Sequence, residues 1–448
     1  MRYEKYKQTG TKWITSIPVS WDMQKIGSLF AQRKEKVSDK DFAPISVTKN
    51  GILPQLATAA KSDDGDNRKK VCIGDFVINS RSDRKGSCGV SDLEGSVSLI
   101  NIVLQPRDQL SGRYAHYLLR NHLFSEEYYR NGRGIVADLW TTRYSEMKTI
   151  LLPVPPRAEQ DQIVRYLDWQ VSKINRLIVA KKREIALFEE IKINHTADTV
   201  LHGIRKHSDY VETAAFGSIP AHWQVIQNKR LFSERVEHTE TGTETLLSVS
   251  KHYGVKPSAE LTEDEQFATI KPALSLVGYK IVRKNDLVMN IMRARNGSYG
   301  ISAYDGIVSP AYCIYYTTKE CNVKYLHHFL RTPHVKSLFE AYSSGIAEHR
   351  RRLYPEDFLR LKSVLPPIEE QDEIVEHIEQ AMVKYDAGIA NLRQQIACLQ
   401  DMKTRLISDV VTGQVDVRGI EVQQYEIVED TDTSGDSEED TEGEEYEE

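Results

Sequence analysis

Two short stretches, each leading into a Gly-Ser-x-Gly turn, concentrate side chains suited to reading a nucleic acid. Arg81, Arg84 and Lys85 precede Gly86-Ser87-Cys88-Gly89, and Arg293, Arg295 and Asn296 precede Gly297-Ser298-Tyr299-Gly300. A guanidinium makes two parallel hydrogen bonds to the guanine edge, and a carboxamide does the same with adenine. Glycine and serine beside them let main-chain amides and hydroxyls approach phosphates, which fixes register without reading sequence. A solvated hairpin turn accounts for the same residues, so both readings stand at this stage. A second basic stretch follows Gly345 as His349, Arg350, Arg351 and Arg352; its counterpart earlier in the chain holds Arg133 and Arg143 with Trp140. Lys49, beside Asn50, and Lys251, beside His252 and Tyr253, complete the candidate DNA-binding set, while Arg68, Lys69 and Lys70 are candidates for phosphate contact only.

The motifs of self-sufficient catalysis are missing from the sequence. It has no G-x-x-x-x-G-K-[ST] phosphate loop, no H-E-x-x-H and no G-x-S-x-G elbow. Gly132-Arg133-Gly134 neither follows a strand nor continues as a dinucleotide fingerprint, and reads as a turn. A nuclease needs clustered carboxylates with a lysine; Asp75 and Asp286 lack that company and read as caps of a turn before a strand. No Asn-Pro-Pro-Tyr-like or Asp-Pro-Pro-Tyr-like run is present to hold a flipped base. Catalytic and cofactor-binding residues are therefore expected on another chain. The five cysteines, Cys72, Cys88, Cys313, Cys321 and Cys398, are odd in number and scattered, which argues against a disulfide framework or a zinc site.

These stretches sit at equivalent places because the chain is written twice. Ile17-Pro18-Val19-Ser20-Trp21 recurs 202 residues later as Ile219-Pro220-Ala221-His222-Trp223, and Ser46-Val47-Thr48-Lys49 recurs at the same offset as Ser248-Val249-Ser250-Lys251. From Asp75, matched by Asp286, the offset becomes 211 and holds: Gly86 matches Gly297, Gly134 matches Gly345, and Pro155-Pro156 matches Pro366-Pro367. Arg84 and Arg295 are equivalents at that offset. The two basic stretches after Gly134 and Gly345 differ in composition, as they should if each copy reads its own half of a site.

Each copy has two parts of different periodicity. Short β-branched or aromatic runs such as Asp75 to Ile78, Ser98 to Leu104 and Ile307 to Tyr316, bounded by Gly, Asn and Asp, predict half-buried strands; pieces around Tyr114 to Arg120 and Tyr325 to Arg331 predict short helices. After each Pro-Pro the apolar residues take helical spacing: Ile163, Leu167, Val171, Ile174 and Ile178, and later Ile374, Ile378, Met382, Tyr385 and Ile389. Their steps of three and four suit a coiled-coil partner, and an antiparallel pairing of the two long helices would bring the chain back into its second domain. Each helix packing on its own domain is the alternative. The expected fold is mixed α/β (α+β): a domain over 1–156, a spacer helix over 157–204, a polar linker over 205–218, a second domain over 219–367, a second spacer helix over 368–418, and an acidic tail over 419–448, related by a pseudo-two-fold internal repeat.

The 448 residues are too many for one ordinary core. The net charge of −6 averages two unlike parts, because residues 426–448 hold thirteen Asp or Glu and no Lys or Arg, leaving +7 on the rest. A mildly basic body suits a polyanionic partner. The tail is expected to be a solvated, disordered segment, with a DNA mimic that weakens nonspecific binding as the sharper alternative. No apolar run reaches membrane-spanning length and the N-terminus lacks a secretion signal, so a cytoplasmic location without membrane contact is expected.

Taken together, Tyr6-Lys7 through Trp13-Ile14 to Ile17-Pro18 and Trp21, the Gly74-Asp75-Phe76-Val77 turn and strand, both Gly-Ser-x-Gly turns, both Pro-Pro openings followed by Glu-Gln-Asp, and the closing Val411-Thr412-Gly413-Gln414-Val415-Asp416-Val417-Arg418 resemble the specificity subunits of type I restriction-modification systems. The resemblance covers residues 6 to about 420 in both halves, and only the acidic tail departs from it. It implies two tandem target-recognition domains that each bind half of an interrupted double-stranded DNA site, held apart by the helical pair as a ruler. It implies as partners two methyltransferase (M) subunits, carrying S-adenosylmethionine for adenine methylation, and restriction (R) endonuclease/translocase subunits, using ATP and magnesium. The chain itself would be a non-catalytic recognition subunit. A duplicated coiled-coil scaffold of a defence system, without sequence reading of its own, is the competing function. No base-contacting residue is carried over from the family.

Overall fold

Phe76–Asn79 is a short apolar run with hydrogen-bonded neighbours on both sides, which is why it carries no polar alternation. In the computed structural model, which describes residues 2–56, 65–81, 84–134, 140–205, 207–251, 253–261, 275–345 and 351–428, it lies inside a four-stranded antiparallel sheet. The order across the sheet is Cys88–Val90, Phe76–Asn79, Asn101–Pro106, Phe30–Arg33. The second copy builds the same sheet from Tyr299–Ile301, Leu287–Asn290, Tyr312–Thr317 and Phe232–Glu234.

Period-two alternation sends side chains to opposite faces of these strands. Phe76 and Ile78 enter a large core with Tyr114, Leu118 and Phe124 from the helices Gly112–Leu119 and His122–Arg130, whereas Val77 joins Ile45, Val71, Val97 and Val103 in a smaller one. Leu287 and Met289 likewise face Tyr325, Phe329 and Phe339, while Val288 packs with Leu247, Val282 and Ile314. Asn121 caps its helix through Leu123 N, and Thr332 caps Pro333–Tyr342 through Val335 N.

The expected long helices are Arg157–His202 and Ile368–Val411. Each starts behind Pro-Pro with a glutamate clamped to the domain before it. Glu159 accepts hydrogen bonds from Trp21 Nε1 at 2.9 Å and Tyr3 OH at 2.6 Å, and Glu370 accepts one from Trp223 Nε1 at 2.9 Å while pairing with His222. The chain divides into two compact units that take half of each helix: Met1–Lys181 with Arg393–Thr431, and a second whose described residues are Lys182–Leu392 without the gaps given above. In the first unit Lys403 Nζ donates to Asn175 Oδ1 and Gln162 Nε2 donates to Val417 O, so the helix segments run antiparallel. In the second, Lys192 pairs with Asp386 and His195 meets His377, again antiparallel.

Each unit is completed by the end of the helix belonging to the other repeat. Val410, Val411 and Val417 are buried in the first large core, and Val200 and Leu201 in the second. Tyr114 OH donates to Pro153 O and Val411 O; its equivalent Tyr325 donates to Val364 O and Val200 O.

Two expectations are corrected. The stretch 205–218 is not a plain linker: Tyr210–Thr213 pairs antiparallel with Gly217–Pro220, as Tyr6–Gln8 pairs with Ser16–Pro18 in the first copy. The strand is short and its side chains, Tyr210 and Val211 included, are largely exposed, so it shows no alternation of buried and exposed positions. The tail is also tied down at its start. Asn175 Nδ2 donates to Val428 O, Val428 N donates to Ser172 Oγ and Gln162 Nε2 donates to Ile420 O, so residues 420–428 follow the first long helix. The rest of the tail lies outside the described residues.

Candidate nucleic-acid interface

Each domain brings two cation-bearing turns together. In the first, Lys49 sits on the turn of the hairpin Ile45–Thr48 and Gly51–Pro54, and Arg84 and Lys85 lie on the turn between Phe76–Asn79 and Cys88–Val90. A Cβ built on Gly89 would lie 3.3 Å from Gly51 Cα, so the hairpins touch main chain to main chain. In the second, a Cβ on Gly300 would lie 3.1 Å from Gly254 Cα, and Lys251 Cβ approaches Gly297. Gly297 is left-handed at φ +92°, closing the turn that carries Arg293, Arg295 and Asn296. Only glycine fits such a close approach without displacing the opposite strand.

The remaining arginines converge on the base of these turns. Thr141 pairs with both Arg81 and Arg133 in isolated antiparallel bridges, and Thr142 N donates to Ser80 O, which places Arg81, Arg133 and Arg143 on neighbouring backbone. The equivalent bridge in the second domain joins Ser344 to Arg352, with Leu353 N donating to Ile291 O. The same bridge therefore carries its arginine on opposite strands in the two copies. Arg81, Arg133, Arg143, Arg293, Asn296, Arg352, Lys49 and Lys251 are exposed, as is Arg84; Arg295 is half-buried. Arg350 lies outside the described residues.

Not every candidate cation is equally available. Lys85 Nζ lies 2.5 Å from Glu126 Oε1 and 4.9 Å from the Tyr129 ring, so much of its charge is answered within the domain. Arg351 Nε donates to Ser343 O at 3.1 Å. The expected phosphate contacts Arg68, Lys69 and Lys70 are turned inward: Arg68 donates to Ser96 Oγ and Ser96 O, Lys69 to Leu99 O and Asn101 O, and Lys70 to Glu35. Each thus finds an acceptor within its own domain, whichever face of the strand Arg68–Val71 it occupies. Arg81, Lys85, Tyr129 and Trp140 line a crevice of about 20 Å³, room for roughly one water.

The acidic residues take structural roles. Asp75, 2% exposed, receives Arg33 Nε at 2.6 Å and Cys72 N at 2.9 Å; Asp286 receives Arg235 Nε at 2.7 Å and Arg283 N at 2.8 Å. Among the described residues no group of three or more His, Cys, Asp or Glu could hold a metal, and no helix is long and apolar enough to cross a membrane. The five cysteines are free, Cys88 and Cys313 buried and Cys398 exposed.

Sequence reasoning missed three basic residues. Arg120 and Arg331, equivalent across the repeat, reach back from helix ends to the Lys49 and Lys251 turns, donating to Lys49 O and Lys251 O. Their recurrence at the offset of 211 was the available signal. Lys336, whose Nζ comes within 3.9 Å of a Cβ placed on Gly297, adds a second cation beside Lys251 and has Ser125 as its first-copy equivalent.

The chain is a duplicated mixed α/β protein with two long helices, whose copies share a frame but differ in the cations around paired turns. No family model matches the chain. In sequence it is 21% identical, over 93% of its own length and 97% of the relative's, to a Methanocaldococcus jannaschii protein assigned as the type I restriction enzyme MjaX specificity subunit. In fold it resembles a chain from a structure of the complex assembly and conformational transition of a type I restriction-modification system, with a TM-score of 0.59, 14% identity and coverage of 89% of this chain and 99% of that one. The HsdS subunit of Thermoanaerobacter tengcongensis aligns over 91% of this chain and 100% of its own at a TM-score of 0.43 and 16% identity. The chain is thus similar in sequence, along nearly its whole length, to a protein assigned as a type I specificity subunit, and in fold to a chain of a type I restriction-modification system.

Proposed function

We propose that this chain is the DNA sequence-specificity subunit of a type I restriction-modification complex. Each domain reads one half of a bipartite site in duplex DNA through its paired turns, and the two long helices set the interval between the halves. At about 1.5 Å per residue the 46-residue helix Arg157–His202 is on the order of 69 Å long, ample for such a ruler. The chain contributes recognition and no bond-making step. Two methyltransferase subunits with S-adenosylmethionine, and restriction subunits with ATP and magnesium, supply the chemistry in the cytoplasm.

One observation carries this reading: both copies keep the glycine-docked pair of turns, yet differ in the cations placed around it, as at the bridge Arg133–Thr141 against Ser344–Arg352. A shared frame with unlike contact residues is what reading two different half-sites requires. The test is electrophoretic binding and methylation with the companion methyltransferase. Binding of one bipartite sequence over scrambled duplex, falling steeply with salt as phosphate contacts are lost, is the expected result. Assembly with the methyltransferase but no preference between duplexes would instead favour a scaffold without sequence reading.

A further inference from the structure

The paired turns need something to hold them as one rigid surface, since hydrogen-bonded strands stop short of both. In the second domain that role falls to one guanidinium. Arg331, at the end of the helix Val323–Leu330, donates from NH2 to Lys251 O on one turn and from NH1 to Tyr299 O at 2.8 Å and Gly297 O at 3.5 Å on the other. These hydrogen bonds all go to main-chain oxygens, in the fork geometry that only arginine presents. In the first domain Arg120, at the end of Gly112–Leu119, donates from NH2 to Lys49 O at 2.6 Å and from NH1 to His116 Nε2 at 2.8 Å. His116 Nδ1 lies 3.4 Å from Val90 N on the second hairpin, and the two hairpins meet at Gly51 and Gly89, as those under Arg331 meet at Gly254 and Gly300.

We propose that Arg120 and Arg331 are positioning residues for sequence discrimination: each holds two base-reading turns as a single rigid reader, Arg331 directly and Arg120 through His116, one for each half-site, without itself contacting DNA. This rests on the functional reading above and deepens it. A base edge is read only if its partner side chains hold their relative placement to within about 0.5 Å. Lys251 rides on one turn and Arg295 and Asn296 on the other, so a loosened joint blurs discrimination while leaving the surface charge that attracts phosphate nearly intact.

The staple differs from a phosphate contact in how it answers a conservative change. Lysine keeps the charge but cannot reach two turns at once. In the full complex with its methyltransferase, R331K and R331A should each lower discrimination at one half-site by roughly tenfold. Discrimination at the other half-site and the salt dependence of binding should stay as in the unaltered protein. R120K should do the same at the opposite half-site, a reciprocity that general destabilisation does not produce. Gly300→Ala, which wedges the turns apart without touching the arginine, should copy R331K and gives a second route should R331A fail to fold. Unchanged discrimination in folded R331K and Gly300→Ala, or a shallower salt dependence in R331A that lysine restores, overturns the staple. A wild-type complex that shows no sequence preference would sink the functional reading first, so the two failures are told apart.

Discussion

At the scale of single residues, the domains spend many charged groups on their own architecture. Burial, reinforced by the nearby Arg120 and Arg331, pushes His116 and His327 down to about 3, so both are neutral near pH 7. The unfolded chain takes up these protons at an ordinary pKa of about 6.5 while the folded chain refuses them until about pH 3. Stability should therefore fall as pH drops from about 6.5 toward 3, by at most about 1.4 kcal/mol per pH unit for each histidine. Thermal melting of H327N against the unaltered protein across pH 7 to about 4.5 checks this; parallel pH curves would refute it. Arg295, half-buried on its turn and equivalent to Arg84 across the repeat, is the side chain we propose as a base reader in the second domain. Arg295→Ala should relax one half-site at a cost of about 1 to 3 kcal/mol, seen as methylation at formerly rejected sequences. Unaltered methylation specificity would remove it from that role.

At the scale of elements, the sequence was most readable where periodicity is long. Both helices were legible from apolar residues at steps of three and four behind Pro-Pro, and their observed starts at Arg157 and Ile368 lie within a residue of the expected ones. Strands around Asp75 and Asp286 were legible because turn residues bracket them. The edge strand Tyr210–Thr213 was not, since its side chains are largely exposed and give no hydrophobic signal. The turn cations were legible as a set, but which of them are taken up by their own domain was not: Arg68 and Lys69 look like Arg81 in sequence and differ in the acceptors that the fold brings to them. The helix pair also carries an unequal polar layer. His195 meets His377 and Tyr385 in the second unit, where the first unit has Leu406, Tyr166 and Ile174 at the repeat-equivalent positions. Inserting about one helical turn near residue 181 should change the tolerated gap between half-sites and leave both half-site sequences as they were. Genome-wide mapping of methylated adenines reads this directly, and an unchanged gap would dismiss the ruler.

At the scale of the whole molecule, the duplication is unequal in its cations and equal in its joints. Trp21 with Glu159, Asp75 with Arg33, Tyr114 with Val411 and Arg120 with Lys49 all recur in the second copy, so the two copies share one frame while the cations around their turns differ. Ending the chain after Leu392 would remove Val410, Val411 and Val417 from the first core. Three buried valines contribute about 5 kcal/mol, a large part of a domain's stability. Calorimetry of the truncated chain should show the first domain melting well below its normal temperature and the second little changed; a first domain that melts normally would contradict the packing described.

That interlock has a bearing on biosynthesis. A domain normally matures as it leaves the ribosome, first segment first. Here the leading domain must wait, its apolar seat for Val410 and Val411 open to solvent, until translation has passed through the second domain to Val411. The trailing domain finds the corresponding closure, Val200 and Leu201, already made. Maturation should consequently run in reverse order along the chain, and slow or interrupted translation of the codons ahead of Val410 should expose the earlier-made domain to proteases.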